Sequence, residues 1–204
     1  MSESRRRIRA LAPLARPLLP IVVLAVVAVG CGSSQGGDYS GEHPDYAKAL
    51  EGAPPPLAAL HRQANDLLPG GTDAYEGRIA ALHGYPVVVN VWASWCGPCR
   101  FEFPHFQQAA ADYGKRIAFL GIDSADSDDA AATFLAEAPV PYPSYTDPDK
   151  EIGDSLGASL GLPDTAFYDR AGKLAYLKQG PYDDLAELRA DIERYSLGGG
   201  AKGG

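Results

Sequence analysis

Hydrophobic positions along this chain fall into distinct patterns, and each predicts a different element. Residues 87–91 (Val-Val-Val-Asn-Val) and 117–122 (Ile-Ala-Phe-Leu-Gly-Ile) are apolar runs without alternation. That is expected of parallel strands covered on both faces. Leu57, Leu60, Ala64, Leu67 and Leu68 instead recur every three to four residues. They predict an amphipathic helix over 55–68, stopped by Pro69-Gly70-Gly71. Leu185, Leu188 and Ile192 predict a second over 182–195. Residues 98–113 read as a helix joining the two apolar strands in a right-handed crossover, kinked where Pro104 removes a hydrogen bond. Beyond it, 130–138 reads as a short helix behind an acidic capping loop. Residues 142–146 read as an exposed or edge strand between prolines, and 147–156 as a helix. The turn from Asp169 to Gly172 predicts a hairpin with 173–179.

The start of the chain has a different character. Arg5, Arg6, Arg7 and Arg9 precede a 12-residue apolar run at 18–29, interrupted by Pro20. A membrane span needs about 20 residues, and lengthening this one back to Leu11 takes in Pro13, Arg16 and Pro17. A basic start and a short apolar core fit a signal peptide over 1–30. Ala28-Val29-Gly30-Cys31 resembles a bacterial lipobox, which makes Cys31 the expected lipid-bearing residue. An uncleaved anchor helix and cleavage elsewhere are the alternatives, and all three place the remainder outside the cytoplasm. Residues 31–42 have the composition of a flexible tether. An N-terminal helical extension is expected over 43–71, one globular domain over 72–196, and a disordered glycine-rich tail over 197–204.

Without residues 1–30 the chain carries 13 basic and 25 acidic side chains, a formal net charge of −12. Nucleic-acid binding calls for clustered basic residues, so no nucleic-acid partner is expected. Setting Cys31 aside leaves a single cysteine pair, Cys96 and Cys99, and therefore no structural disulfide.

That pair carries the chemistry. Trp95-Cys96-Gly97-Pro98-Cys99-Arg100 lies between a buried strand and the start of a helix. Unpaired backbone N–H groups there favour a thiolate, the species that attacks disulfides. Pro98 fits a first helical turn. A zinc site needs about four ligands, and Cys31 is the one further cysteine. Attachment of c-type haem needs His after the second Cys, where Arg100 stands. Cys96, at the outer edge of the helix start, is the expected attacking thiol. Cys99, one turn inward, is the resolving thiol. Trp95 offers a flat apolar surface beside Cys96, Arg100 either raises the local potential or is solvated, and Trp92 is expected in the core. His61 reads as a surface or satisfied residue.

The segment from Val87 through Asn90, Trp95-Cys96-Gly97-Pro98-Cys99, Glu102 and Pro104 resembles the active-site region of the TlpA/ResA branch of the thioredoxin superfamily. Leu160-Gly161-Leu162-Pro163-Asp164-Thr165-Ala166-Phe167 resembles its second motif. The resemblance implies an α/β thioredoxin fold, a central mixed sheet flanked by helices, with the extra strand-helix insertion of that branch. It implies a cis peptide bond before Pro163, with Leu162 and Pro163 docking an extended substrate. It implies a functional Glu102, whose carboxyl reaches beneath the cysteines as a base for Cys99 while Asn90 cannot titrate; an exposed helix carboxylate is the alternative. The implied activity is a membrane-tethered, extracytoplasmic thiol-disulfide reductase acting without a cofactor. Its expected partners are disulfide-containing extracytoplasmic proteins, apocytochrome c first among them, and a membrane thiol transporter as electron donor; the chain is expected to be a monomer. A disulfide oxidase uses the same residues with the opposite redox poise. A peroxiredoxin-type peroxidase and a redox-inert binding module are the remaining readings.

Overall fold

The run at 87–92 forms the centre of the sheet in the computed structural model, which describes residues 43–158 and 160–198. The signal peptide, the tether, Cys31 and the tail from 199 onward lie outside the described residues. In chain order the elements are α1 (Tyr46–Ala49), α2 (Pro55–His61), β1 (Leu67–Leu68), α3 (Gly71–Ala81), β2 (Val87–Trp92), α4 (Gly97–Tyr113), β3 (Ala118–Ser124), α5 (Asp128–Glu137), β4 (Ser144–Asp147), α6 (Glu151–Leu156), β5 (Asp164–Tyr168), β6 (Leu174–Gln179) and α7 (Leu185–Asp191). A π-helical turn, Ile192–Ser196, continues α7. Among the described residues the sheet has six strands, in the order β1-β4-β3-β2-β5-β6. β1, β4, β3 and β2 run parallel; β5 is antiparallel to β2, and β6 to β5.

Every residue of β2 and β3 is buried, because each sheet face carries its own apolar layer. One layer joins Val88, Trp92, Phe119 and Phe167 to Phe103, Phe106, Phe134 and Leu188 of α4, α5 and α7. The other joins Val87, Val89, Val91, Leu120 and Ile122 to Leu57, Leu60, Tyr75, Ile79 and Ile152 of α2, α3 and α6. None of the described helices is long and apolar enough to cross a membrane.

The structure corrects several expectations. The helix expected over 55–68 ends at His61. Asn65 then turns the chain at φ 61°, a conformation asparagine tolerates, and its Oδ1 accepts from Val140 N at 2.7 Å. Leu67 and Leu68 pair with Ser144 and Tyr145; their apolar spacing belonged to a strand. The strand at 142–146 is therefore interior, with β1 covering its outer side, and it is shifted to Ser144–Asp147. Helix α3 had no counterpart in the apolar pattern. Gly70 and Gly71, at φ 120° and 59°, turn the chain into a helix where they were read as ending one. The helix expected from 147 starts at Glu151, because Asp147 ends β4 and its carboxylate caps the N–H groups of Ile152 and Gly153 at 2.9 and 3.0 Å. Leu197, assigned to the tail, packs against the α4-side core.

One row across the sheet departs from the apolar rule. Ser144, Gly121, Asn90, Thr165 and Lys178 are successive cross-strand partners on β4, β3, β2, β5 and β6. Partners in register share a face, here the one under α4. At Gly121 a Cβ would lie 2.1 Å from Ser144 Oγ and 2.8 Å from Trp92 Nε1. Gly121→Ala is therefore expected to lower stability by about 1–3 kcal/mol through overpacking, seen as a lower urea midpoint.

Candidate active site

At the carboxyl end of β2 the chain leaves the sheet through Ala93 and Ser94 and re-enters structure at α4. Cys96 is the N-cap of that helix, and Cys99 N donates to Cys96 Sγ at 3.2 Å. The two cysteines are joined in a disulfide, with Cα atoms 5.2 Å apart. Cys96 is 4% exposed and Cys99 0%, so the accessible attacking residue expected from sequence is corrected to a largely buried one beside a fully buried one. The exposed surface around it comes from Gly97, Pro98, Trp95 and Phe101.

Glu102 sits on the third turn position after Cys99 and points inward, fully buried. Its Oε1 accepts from Asn90 Nδ2 at 2.8 Å and its Oε2 from Tyr182 N at 2.9 Å. The alternative of an exposed helix carboxylate is thereby excluded. Burial pushes its pKa up to about 7, against the opposing pull of the Tyr182 N–H, the Asn90 amide and the Lys178 ammonium. Tyr182 lies ahead of α7, which starts at Leu185, beyond the expected 182, with Asp184 as its cap, so its N–H has no helical partner and is free for the carboxylate. Asn90 Oδ1 is buried without a partner. A flip of the amide would present it as an acceptor to the protonated acid.

The residues just before Cys96 are held by the loop after β3. Ser94 N donates to Asp126 Oδ2 at 2.5 Å, Ser94 O accepts from Arg100 Nη1 at 3.4 Å, and Trp95 Nε1 donates to Ala125 O at 2.9 Å. Ala125 adopts φ 56° to present that carbonyl. Arg100 also lies over the Phe134 ring at 4.5 Å and pairs with Glu137 at 3.5 Å, so it is packed, not simply solvated. Behind the loop, burial and then the facing charge of Asp126 push Asp123 up to about 8. Asp126 feels burial in the same sense, but hydrogen bonds from Ser94 and Ser127 outweigh it and hold its carboxyl below the usual range. Asp126→Ala is expected to cost about 1 kcal/mol by removing the acceptor of Ser94 N, measured by urea unfolding of the oxidised protein.

Across the rim, the Leu162–Pro163 bond is cis. Pro163 is buried, Leu162 half-buried and Leu160 82% exposed. Trp95 is 63% exposed, and Trp92 lies in the core against Phe103, 5.2 Å between ring centres. His61 is half-buried with a bond to the Gly114 backbone, far in sequence from this loop. The apolar pattern missed Asp123, Asp126, Tyr182 and Lys178. The acidic run at 123–129 was visible but read only as a loop and a helix cap. Among the described residues no group of His, Cys, Asp or Glu side chains is placed to hold a metal ion.

A cysteine pair closing the start of a helix, on a thioredoxin fold with a cis proline, defines a thiol-disulfide oxidoreductase. The chain belongs to the Redoxin family, which matches residues 63–192. It is similar to the thiol:disulfide interchange protein CycY of Rhizobium leguminosarum bv. viciae, 32% identical over 83% of this chain and 87% of the relative. It is also similar to the thiol:disulfide interchange protein DsbE of Escherichia coli K12, 30% identical over 88% and 94% of the two chains. Among solved structures it resembles a thiol:disulfide interchange protein DsbE from Chlorobium tepidum, with TM-score 0.52 and 28% identity over 65% of this chain and 96% of that one.

Proposed function

We propose that this oxidoreductase is a reductase of protein disulfides, tethered outside the cytoplasm through a lipid on Cys31. The observation that carries the catalytic reading is the juxtaposition of the Cys96–Cys99 pair with a buried carboxyl on the same helix, poised near neutrality. In the reduced protein the Cys96 thiolate, at the N–H groups of the helix start, attacks one sulfur of a substrate disulfide. The other substrate sulfur leaves as a thiolate, and a mixed disulfide to Cys96 forms. Glu102 accepts the proton of Cys99, whose thiolate attacks Cys96 Sγ. The substrate departs with both thiols reduced, and the chain is left with the disulfide seen here. Trp95, Leu162 and Pro163 form the dock for the extended substrate segment. A membrane thiol transporter returns two electrons to the pair, and apocytochrome c is the first substrate to try.

The Gly-Pro dipeptide between the cysteines supports the reducing direction. Equilibration of the pair against glutathione tests it: a potential near the ~−270 mV of thioredoxin is expected, and one near the ~−120 mV of DsbA would reverse the assignment to an oxidase. Labelling with a radioactive fatty acid, lost in Cys31→Ala, tests the tether.

A further inference from the structure

Lys178 lies at the end of the polar row that crosses the sheet beneath α4. It is the cross-strand partner of Thr165, which is itself the partner of Asn90, and Asn90 bonds to Glu102. Alternation along β6 therefore aims Lys178 toward the carboxyl, while Leu177 joins the layer on the other sheet face. Its Nζ donates to Gly180 O at 3.3 Å and to Pro181 O at 2.8 Å. The ammonium sits 4.5 Å from the centre of the Tyr182 ring. The short segment it grips ties the site together: Gly180 N donates to Pro163 O at 2.9 Å, and Tyr182 N donates to Glu102 Oε2 at 2.9 Å.

We propose that Lys178 is a positioning residue for thiol-disulfide exchange: it fixes the 180–182 segment that joins Glu102 to the cis-proline strand, and it holds a cation on the sheet face that carries the carboxyl, beyond ion-pair distance from it. This rests on the reading of Glu102 as the base for Cys99. Two of the ammonium's donors go to carbonyls and the cation meets an aromatic face, a geometry that fixes the charge in place. The groups facing Glu102 are Asn90 from β2, Tyr182 from the segment before α7, Lys178 from β6, Asp164 from β5 and Tyr142 from the segment before β4. Lys178 is the one cation among them. Its charge opposes the effects of burial and of Asp164, so its loss favours the protonated acid.

The test is a carboxyl carbon-13 NMR titration of Glu102 in the oxidised protein, paired with alkylation of the reduced protein across pH. Lys178→Met is expected to move the Glu102 midpoint upward by about 0.5–1 pH unit and the alkylation inflection with it. Lys178→Arg should restore both. On a Glu102→Gln background Lys178→Met should leave the alkylation profile where Glu102→Gln alone puts it. Lys178→Gln is the neutral substitute should the methionine variant not fold. A lowered melting temperature with an unmoved Glu102 midpoint makes Lys178 merely structural and overturns the inference. If that happens while Glu102→Gln still alters the alkylation profile, the base assignment stands; if Glu102→Gln alters nothing, both readings fall.

Discussion

Cys99→Ser is expected to stop the reaction halfway, with the substrate protein covalently held on Cys96. The burial of the two sulfurs leads to this outcome. Cys99 is fully enclosed and Cys96 alone reaches the surface, so the first attack needs only Cys96 and the release needs only Cys99. The serine hydroxyl fits the space of the thiol but does not attack a disulfide. Mixed with an oxidised extracytoplasmic protein, the reduced variant should give a reductant-sensitive adduct at the summed mass on a non-reducing gel, with turnover at the uncatalysed rate. Cys96→Ser should give the same loss of turnover and no adduct. An adduct formed by Cys96→Ser in place of Cys99→Ser would invert the assigned roles.

The second large effect is expected at Glu102. Its pKa is about 7 in the folded protein against 4.5 for the free side chain, chiefly because burial disfavours the charge. The folded state then binds the proton more tightly than the unfolded state. The resulting stabilisation is complete below pH 4.5 and is lost as pH rises through 7. At 1.36 kcal/mol per pH unit it comes to about 3 kcal/mol. In Glu102→Gln this part of the pH dependence should vanish, leaving a flatter curve of unfolding free energy between those limits. The variant should fold, because an amide flip lets Asn90 present its unpartnered Oδ1 to the new NH2 group. Its reduced form should show a shifted dependence of thiol reactivity on pH, since no carboxylate remains to take the Cys99 proton. An unchanged alkylation curve removes Glu102 from the mechanism.

The elements nearest the chemistry were the most legible. An apolar run without alternation and Pro98 in a first helical turn are local patterns, and β2 and α4 lie where those patterns put them; the inward-facing Glu102 was legible only through the family resemblance. The elements that failed were settled at long range. Leu67 and Leu68 have helical spacing, but a two-residue strand is recognised only through its partner, Ser144–Tyr145, far along the chain. Glycine pairs carry no direction in the sequence, so Gly70-Gly71 was read as a stop. Lys178 shows a further difficulty. Counting back from the Asp169–Gly172 turn without interruption pairs Thr165 with residue 177. The register shifts between Phe167 and Tyr168, so Thr165 meets Lys178. A shift of one residue exchanges the two faces of a strand, and here it exchanges a leucine for the lysine near Glu102. No local pattern marks that bulge.

The pairing of Leu67–Leu68 with β4 also matters to anyone who shortens this protein for expression. A chain begun at residue 72, where the sequence pattern puts the start of the globular domain, would strip the outermost strand and leave the backbone of Ser144 and Tyr145 open to solvent. Bare strand borders recruit other polypeptides. Self-association of such a truncated protein would therefore be an artefact of trimming, and a gel-filtration profile taken from it would misstate how the intact molecule behaves.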